Sequence, residues 1–113
     1  MRILIFYKER AIRHALFEIL RDEGYHAFDV DYNDGVDFGI DLALNVAFDI
    51  IIAGEPEWLE IEDWIKGKMR KEPKIILIVK RMVNEDDYKK NGVFGILYSP
   101  VDLSKLLSLV ESA

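Results

Sequence analysis

Glu55, Glu57, Glu60, Glu62 and Asp63 crowd five carboxylates into one short stretch of the chain. Carboxylates are the ligands of hard divalent cations, but this spacing matches no calcium loop. Acidic residues in a first helical turn also follow from the helix dipole alone. His14 and His26 have no second histidine or cysteine at metal-ligand spacing. Ser104, Ser108 and Ser112 recur at helical spacing opposite a row of leucines, without a base to activate them. The chain has no cysteine and no threonine, which excludes disulfides, thiolate catalysis and zinc–thiolate sites. Lys66-Gly67-Lys68-Met69-Arg70-Lys71 reads as a solvated helix end, where cations suit the dipole. What remains is Lys8, close to Glu9 and, across the fold, to Glu55.

These side chains depend on the elements that carry them. Phe48-Asp49-Ile50-Ile51-Ile52-Ala53-Gly54-Glu55-Pro56 is a continuous apolar run ended by Gly and Pro. Such a run is expected for a central parallel strand buried on both faces. Ligands of open parallel sheets bind beyond the carboxyl ends of the strands, so residue 54 is the position that matters. A glycine stands there. Its commonest role is a tight turn.

Around that strand, apolar and amphipathic segments alternate. Arg2 to Phe6, Tyr25 to Val30, Lys74 to Val79 and Val93 to Leu97 read as strands. Helices are expected over Glu9 to Glu23, with Ile12, Ala15, Leu16, Ile19 and Leu20 inward and Gly24 as the stop. Asn33-Asp34-Gly35 can cap a second helix with Ile40, Ala43, Leu44 and Ala47 inward. Ile61, Trp64, Ile65 and Met69 mark a third, Glu85 to Lys90 a short fourth, and Leu103, Leu106, Leu107 and Val110 a fifth. Five strand–helix alternations with short connections predict one domain over residues 1–113. Its class is α/β, a three-layer αβα sandwich around a doubly wound five-stranded parallel sheet in the flavodoxin-like order 2-1-3-4-5.

The net charge of −6 disfavours nucleic acid as a partner. No apolar run approaches the roughly 18 residues of a membrane span, and the amino terminus has no signal-peptide pattern, so a cytoplasmic location is expected. High charge with no Cys, Thr or Gln is a composition biased toward that of thermophilic proteins.

From end to end the chain resembles a response-regulator receiver (CheY-like) domain. Arg2-Ile3-Leu4-Ile5-Phe6 resembles the first strand of that family and Phe48-Asp49-Ile50-Ile51-Ile52 the third. Glu72-Pro73-Lys74-Ile75-Ile76-Leu77 resembles the fourth and Asn91-Gly92-Val93-Phe94-Gly95-Ile96-Leu97 the fifth, with Ser99-Pro100-Val101-Asp102 entering the last helix. The resemblance implies an acidic pair after the first strand and an aspartate after the third that hold Mg²⁺, the aspartate accepting a phosphoryl group. It implies a Thr or Ser after the fourth strand and a Lys after the fifth to bind that phosphoryl. Here the acidic pair is Tyr7 and Lys8, the acceptor is Gly54, the hydroxyl position is Ile78 and the lysine position is Ser99. The switch aromatic falls on Ile96, with Tyr98 nearby. The resemblance therefore implies a degenerate receiver that keeps the fold without the chemistry, with no cofactor and no Mg²⁺.

By the same resemblance, the partner surface is the face formed by the fourth helix, fifth strand and fifth helix. It falls on Val83, Tyr88, Phe94, Tyr98 and Leu103, with Lys89 and Lys90 at the rim, and suits a protein partner or a homodimer. The function expected is a non-enzymatic, phosphorylation-independent interaction module in signal transduction. The alternative is a sensor of a metabolite or nucleotide held at the carboxyl edge by Tyr7, Lys8, Gly54, Ile78 and Ser99. Three local expectations accompany this reading. Lys8 should form an ion pair with Glu55 or Glu9, the Ser99–Pro100 peptide should be cis, and Trp58 should be partly exposed as an interface anchor or packed over the site.

Overall fold

The computed structural model describes residues 1–30, 36–69 and 71–113, side chains at 36–39, 64 and 65 excepted. In chain order the elements are β1 (Arg2–Phe6), α1 (Arg10–Asp22), β2 (His26–Val30), α2 (Val36–Asn45) and β3 (Ile50–Gly54). They continue with α3 (Glu55–Ile65), β4 (Lys74–Val79), α4 (Glu85–Lys90), β5 (Val93–Tyr98) and α5 (Leu103–Ser112). The strands form one sheet in the order β2-β1-β3-β4-β5, and every neighbouring pair is parallel. This is the expected doubly wound architecture. The expected cap at Asn33-Asp34-Gly35 and the core role of the Trp64 side chain lie outside the described residues.

Each strand of the sheet's middle feeds two cores, because successive side chains point to opposite faces. Ile3, Ile5, Ile50, Ile52, Ile76 and Ile78 pack with Leu16 and Leu20 of α1 and Leu106 and Val110 of α5. Leu4, Phe6, Ile51, Ala53, Leu77 and Val79 pack on the other face with Ala43 of α2 and Trp58 and Ile61 of α3. All five residues of β3 are buried, which is why its sequence reads as an unbroken apolar run.

That strand begins two residues later than its sequence suggests. Phe48 stays outside the ladder and packs edge-on against Phe28, with ring centroids 5.2 Å apart. Asp49 accepts the Arg2 main-chain NH at 2.8 Å and pairs with Lys71. Those two contacts hold the Asp49 carboxyl below the ordinary carboxylate range, the lysine being the larger cause. The shift carries the ladder through to Gly54, which pairs with Ile78 at the end of β4.

Helix α1 is locked down by a residue that the apolar pattern does not mark. Arg13 is buried, donates to the Tyr7 carbonyl at 2.9 Å and pairs with Asp29 of β2. It thereby ties α1 to the ends of two strands. Gly24 follows the helix with φ +91°, the left-handed conformation that a glycine stop supplies. α3 ends at Ile65, so Lys66, Lys68 and Lys71 lie beyond the helix and not on its last turn as expected. Met69 is nevertheless packed against the core. At the other end of the chain, the Ser99–Pro100 peptide is cis, as expected.

Candidate functional site

The carboxyl ends of β1, β3 and β4 open on a cleft of about 410 Å³ lined by Tyr7, Lys8, Glu9, Glu55, Pro56, Glu57, Ile78, Lys80 and Arg81. Three of the five expected site residues, Tyr7, Lys8 and Ile78, therefore meet here. Gly54 is buried beneath them. Ser99 is not part of the lining; its main-chain NH donates to the Val79 carbonyl at 2.8 Å and continues the β4–β5 pairing.

Gly54 is not a turn glycine. Its φ of −67° and ψ of 151° are ordinary extended backbone that any residue adopts. Space is what demands glycine. A Cβ at residue 54 would stand 2.1 Å from Glu57 Oε2 and 2.8 Å from two carbons of the Tyr7 ring. The Glu57 side chain folds back from the first turn of α3 to reach this point, and its Oε1 accepts the Lys8 main-chain NH at 3.0 Å. Glu57 is only 6% exposed. Its Oε2 and the Tyr7 hydroxyl are buried without a hydrogen-bond partner among the described residues. In the sequence Glu57 is one of five acids in a short stretch, and only the helix register turns it inward.

The cations at this edge come from the segment after β4. Lys80 pairs with Glu9, and Arg81 donates to Glu55 Oε2 at 3.2 Å. The expected pairing of Lys8 with Glu9 or Glu55 is thus corrected: the two carboxylates are taken by Lys80 and Arg81 from the segment after β4, while the Lys8 main-chain NH binds Glu57. Lys80 is held protonated above the usual lysine range, first by the Glu9 hydrogen bond and then by the charges of Tyr7, Glu9 and Glu57. Glu55 also accepts the hydroxyl of Tyr88, linking the cleft to α4.

Two phenols are pushed above their ordinary range. Burial is the larger cause for Tyr7, followed by Glu9; for Tyr88 it is the hydrogen bond to Glu55, followed by burial. A raised folded-state pKa contributes stability that is fully present below the unfolded phenol value of about 10 and lost as pH rises beyond it. Alkaline unfolding should therefore steepen above pH ~10. Ultraviolet titration should show late-titrating phenols, one of which disappears in Tyr7→Phe and another in Tyr88→Phe.

The expected interaction face is only partly assembled. Val83, Tyr88 and Tyr98 are half-buried against the core on the α2–α3 side of the sheet. Phe94 packs on the opposite side with α5, its ring 5.0 Å from Lys74 Nζ at the other end of the strand. The five residues therefore do not form one continuous patch: Phe94 and Tyr98 would share a face in a regular strand, and the bulge in β5 between Val93 and Gly95 turns Phe94 to the other layer. Leu103 is 45% exposed, and Met82, which the sequence reading passed over, is 81% exposed. Trp58 is buried at 7% exposure, which corrects both roles expected for it: it packs in the core beneath α3.

No family model and no curated protein matches the chain. Solved structures do. A response regulator receiver protein from Pseudomonas putida is 23% identical with a TM-score of 0.74, the match covering 99% of this chain and 96% of the other. A CheY-like receiver domain from Methylobacillus flagellatus gives a TM-score of 0.79 at 15% identity, covering 99% and 97%. A chemotaxis response regulator of Vibrio cholerae gives 0.75 at 18% identity, covering 98% and 96%. At these identities what is shared is the fold, the five-stranded parallel sheet in the order 2-1-3-4-5.

Proposed function

We propose that this chain is a pseudo-receiver: a non-enzymatic protein-interaction module whose binding does not depend on phosphorylation. The observation that carries this reading is Gly54. It ends β3, where a receiver carries its phosphoacceptor carboxylate, and the Tyr7 ring and the Glu57 carboxylate already crowd the space that a side chain would need. The surrounding positions support the same reading, since Tyr7 and Lys8 replace the acidic pair, Ile78 replaces the hydroxyl and Ser99 replaces the lysine. Without a carboxylate on residue 54 or a hydroxyl at 78, an aspartyl-phosphate is neither formed nor recognised. The likeness of its fold to response regulator receivers supports a role in signal transduction.

The partner surface in this reading is a protein-binding edge made by Val83, Tyr88, Tyr98 and Leu103, with Lys89 and Lys90 at its rim and Met82 adding exposed apolar area. Phe94 contributes from the far side of β5. Aromatic and apolar side chains bordered by charge are the composition of such surfaces. The test is capture of a partner from the source cells by wild-type protein and by Tyr98→Asp and Leu103→Asp variants, each with and without acetyl phosphate. Capture should be lost in the variants and unchanged by the phosphoryl donor. Capture that requires acetyl phosphate contradicts the reading.

The 410 Å³ cleft supports one second reading, a small-ligand sensor at the carboxyl edge. A thermal-shift screen of nucleotides and metabolites separates the two: the sensor reading requires a saturable rise in the unfolding midpoint that a Lys80→Ala, Arg81→Ala variant loses.

A further inference from the structure

We propose that Glu57 is a resident occupant of the site, its carboxylate filling the side-chain position that Gly54 vacates. This deepens the pseudo-receiver reading and rests on it. A glutamate in the first turn of an exposed helix has a solvated rotamer open to it, as the exposed Glu60 in the same helix illustrates. Glu57 instead lies inward and buried, with one oxygen on the Lys8 NH and the other without a partner among the described residues. A buried carboxylate oxygen without a hydrogen bond is unfavourable, so the position must be supported by its surroundings. Three features supply that support. The α3 amino terminus favours an anion in its first turn, the Lys80 ammonium lies close enough to feel the Glu57 charge, and Gly54 leaves the room.

The carboxylate therefore reaches the end of β3 from three residues downstream. Its bond to Lys8 joins the loop after β1 to the start of α3. In this arrangement the anion is part of the chain and is always present. The edge of the sheet is held in one state, with no role for an incoming phosphoryl group or for Mg²⁺.

Chemical rescue tests this directly. Glu57→Ala removes a CH₂–COO⁻ fragment, and acetate is the probe that matches the space left. The expected result is a lower unfolding midpoint for Glu57→Ala and a displaced Lys8 amide signal in its NMR spectrum. Acetate, but not chloride at equal ionic strength, should return both toward wild type and leave wild-type protein unmoved. Glu57→Gln keeps an acceptor for the Lys8 NH, so it should fold with that amide near its wild-type position.

If Glu57→Ala does not fold by itself, refolding in acetate is expected to recover it, and failure to recover counts against the proposal. An unchanged midpoint and Lys8 amide in Glu57→Ala, equal effects of acetate and chloride, or a displaced Lys8 amide in Glu57→Gln would each overturn it. Loss of the pseudo-receiver reading would appear elsewhere, as a phosphoryl adduct or donor-dependent capture, and is not confused with a failed rescue.

Discussion

Arg13→Ala should be the most destabilising single change outside the apolar core, costing about 3 kcal/mol. Arg13 is 3% exposed and, among the described residues, serves the Asp29 carboxylate and the Tyr7 carbonyl at once. Removing it leaves a carboxylate beside a cavity without its counter-charge. Breaking a buried pair from one side costs about 3–5 kcal/mol, and Asp29, an exposed residue whose carboxylate regains water, holds the value to the bottom of that range, the buried Arg13 groups carrying most of it. In a domain of this size that is a fall in Tm of roughly 10–20 °C. Arg13→Ala, Asp29→Ala should recover part of the loss, because the stranded charge goes too. A single variant within about 1 kcal/mol of wild type, below the usual range for a broken buried pair, would show that Arg13 is not a clamp.

The second large effect is expected at Gly54. Adding one methyl there sets a Cβ against the Tyr7 ring and the Glu57 carboxylate. Glu57 ends a flexible side chain and can swing away, but the Tyr7 ring is buried and cannot. Overpacking of this kind costs about 1–3 kcal/mol. Backbone strain adds nothing, since φ is ordinary. Because the two residues touch, their effects should not add. In a Glu57→Ala background the cost of Gly54→Ala should fall but not vanish, the remainder belonging to Tyr7. Urea unfolding of the four proteins in that cycle measures the coupling directly. A zero coupling would mean that Glu57 does not occupy the space above Gly54 in solution.

These two residues mark the boundary of what the sequence shows. The strands were legible because buried parallel strands leave apolar runs, as Ile50 to Ile52 and Ile75 to Val79 do, and their order followed from the regular alternation with helices joined by short connections. The glycine at 54 was legible as an absence, though not its cause: a turn glycine and a close-approach glycine look alike until the neighbour is known. Arg13 was hidden because helical periodicity ranks residues by apolarity. It placed Ala15 inward, where the structure exposes it, and had no means to place an arginine there. Glu57 was hidden for the same reason, inside a run of acids whose register alone turns one of them toward the sheet.

The cations show a different limit. Lys8 was the nearest lysine along β1, but Lys80 and Arg81 reach the same carboxylates from the loop after β4. Which side chain closes a pair across parallel strands depends on loop paths that a sequence does not display. Phe94 shows a related limit: even spacing would put it on the same face as Tyr98, and the bulge at residue 94 of β5 sends it to the opposite layer.

The central claim is that the receiver fold is kept while the phosphotransfer chemistry is gone. The measurement that tests it most directly is the intact mass of the protein after incubation with acetyl phosphate and Mg²⁺, with a hydroxylamine-treated sample alongside. The account predicts a single unmodified mass in both samples. A phosphorylated species that hydroxylamine removes would place an acyl phosphate on one of these carboxylates and contradict it.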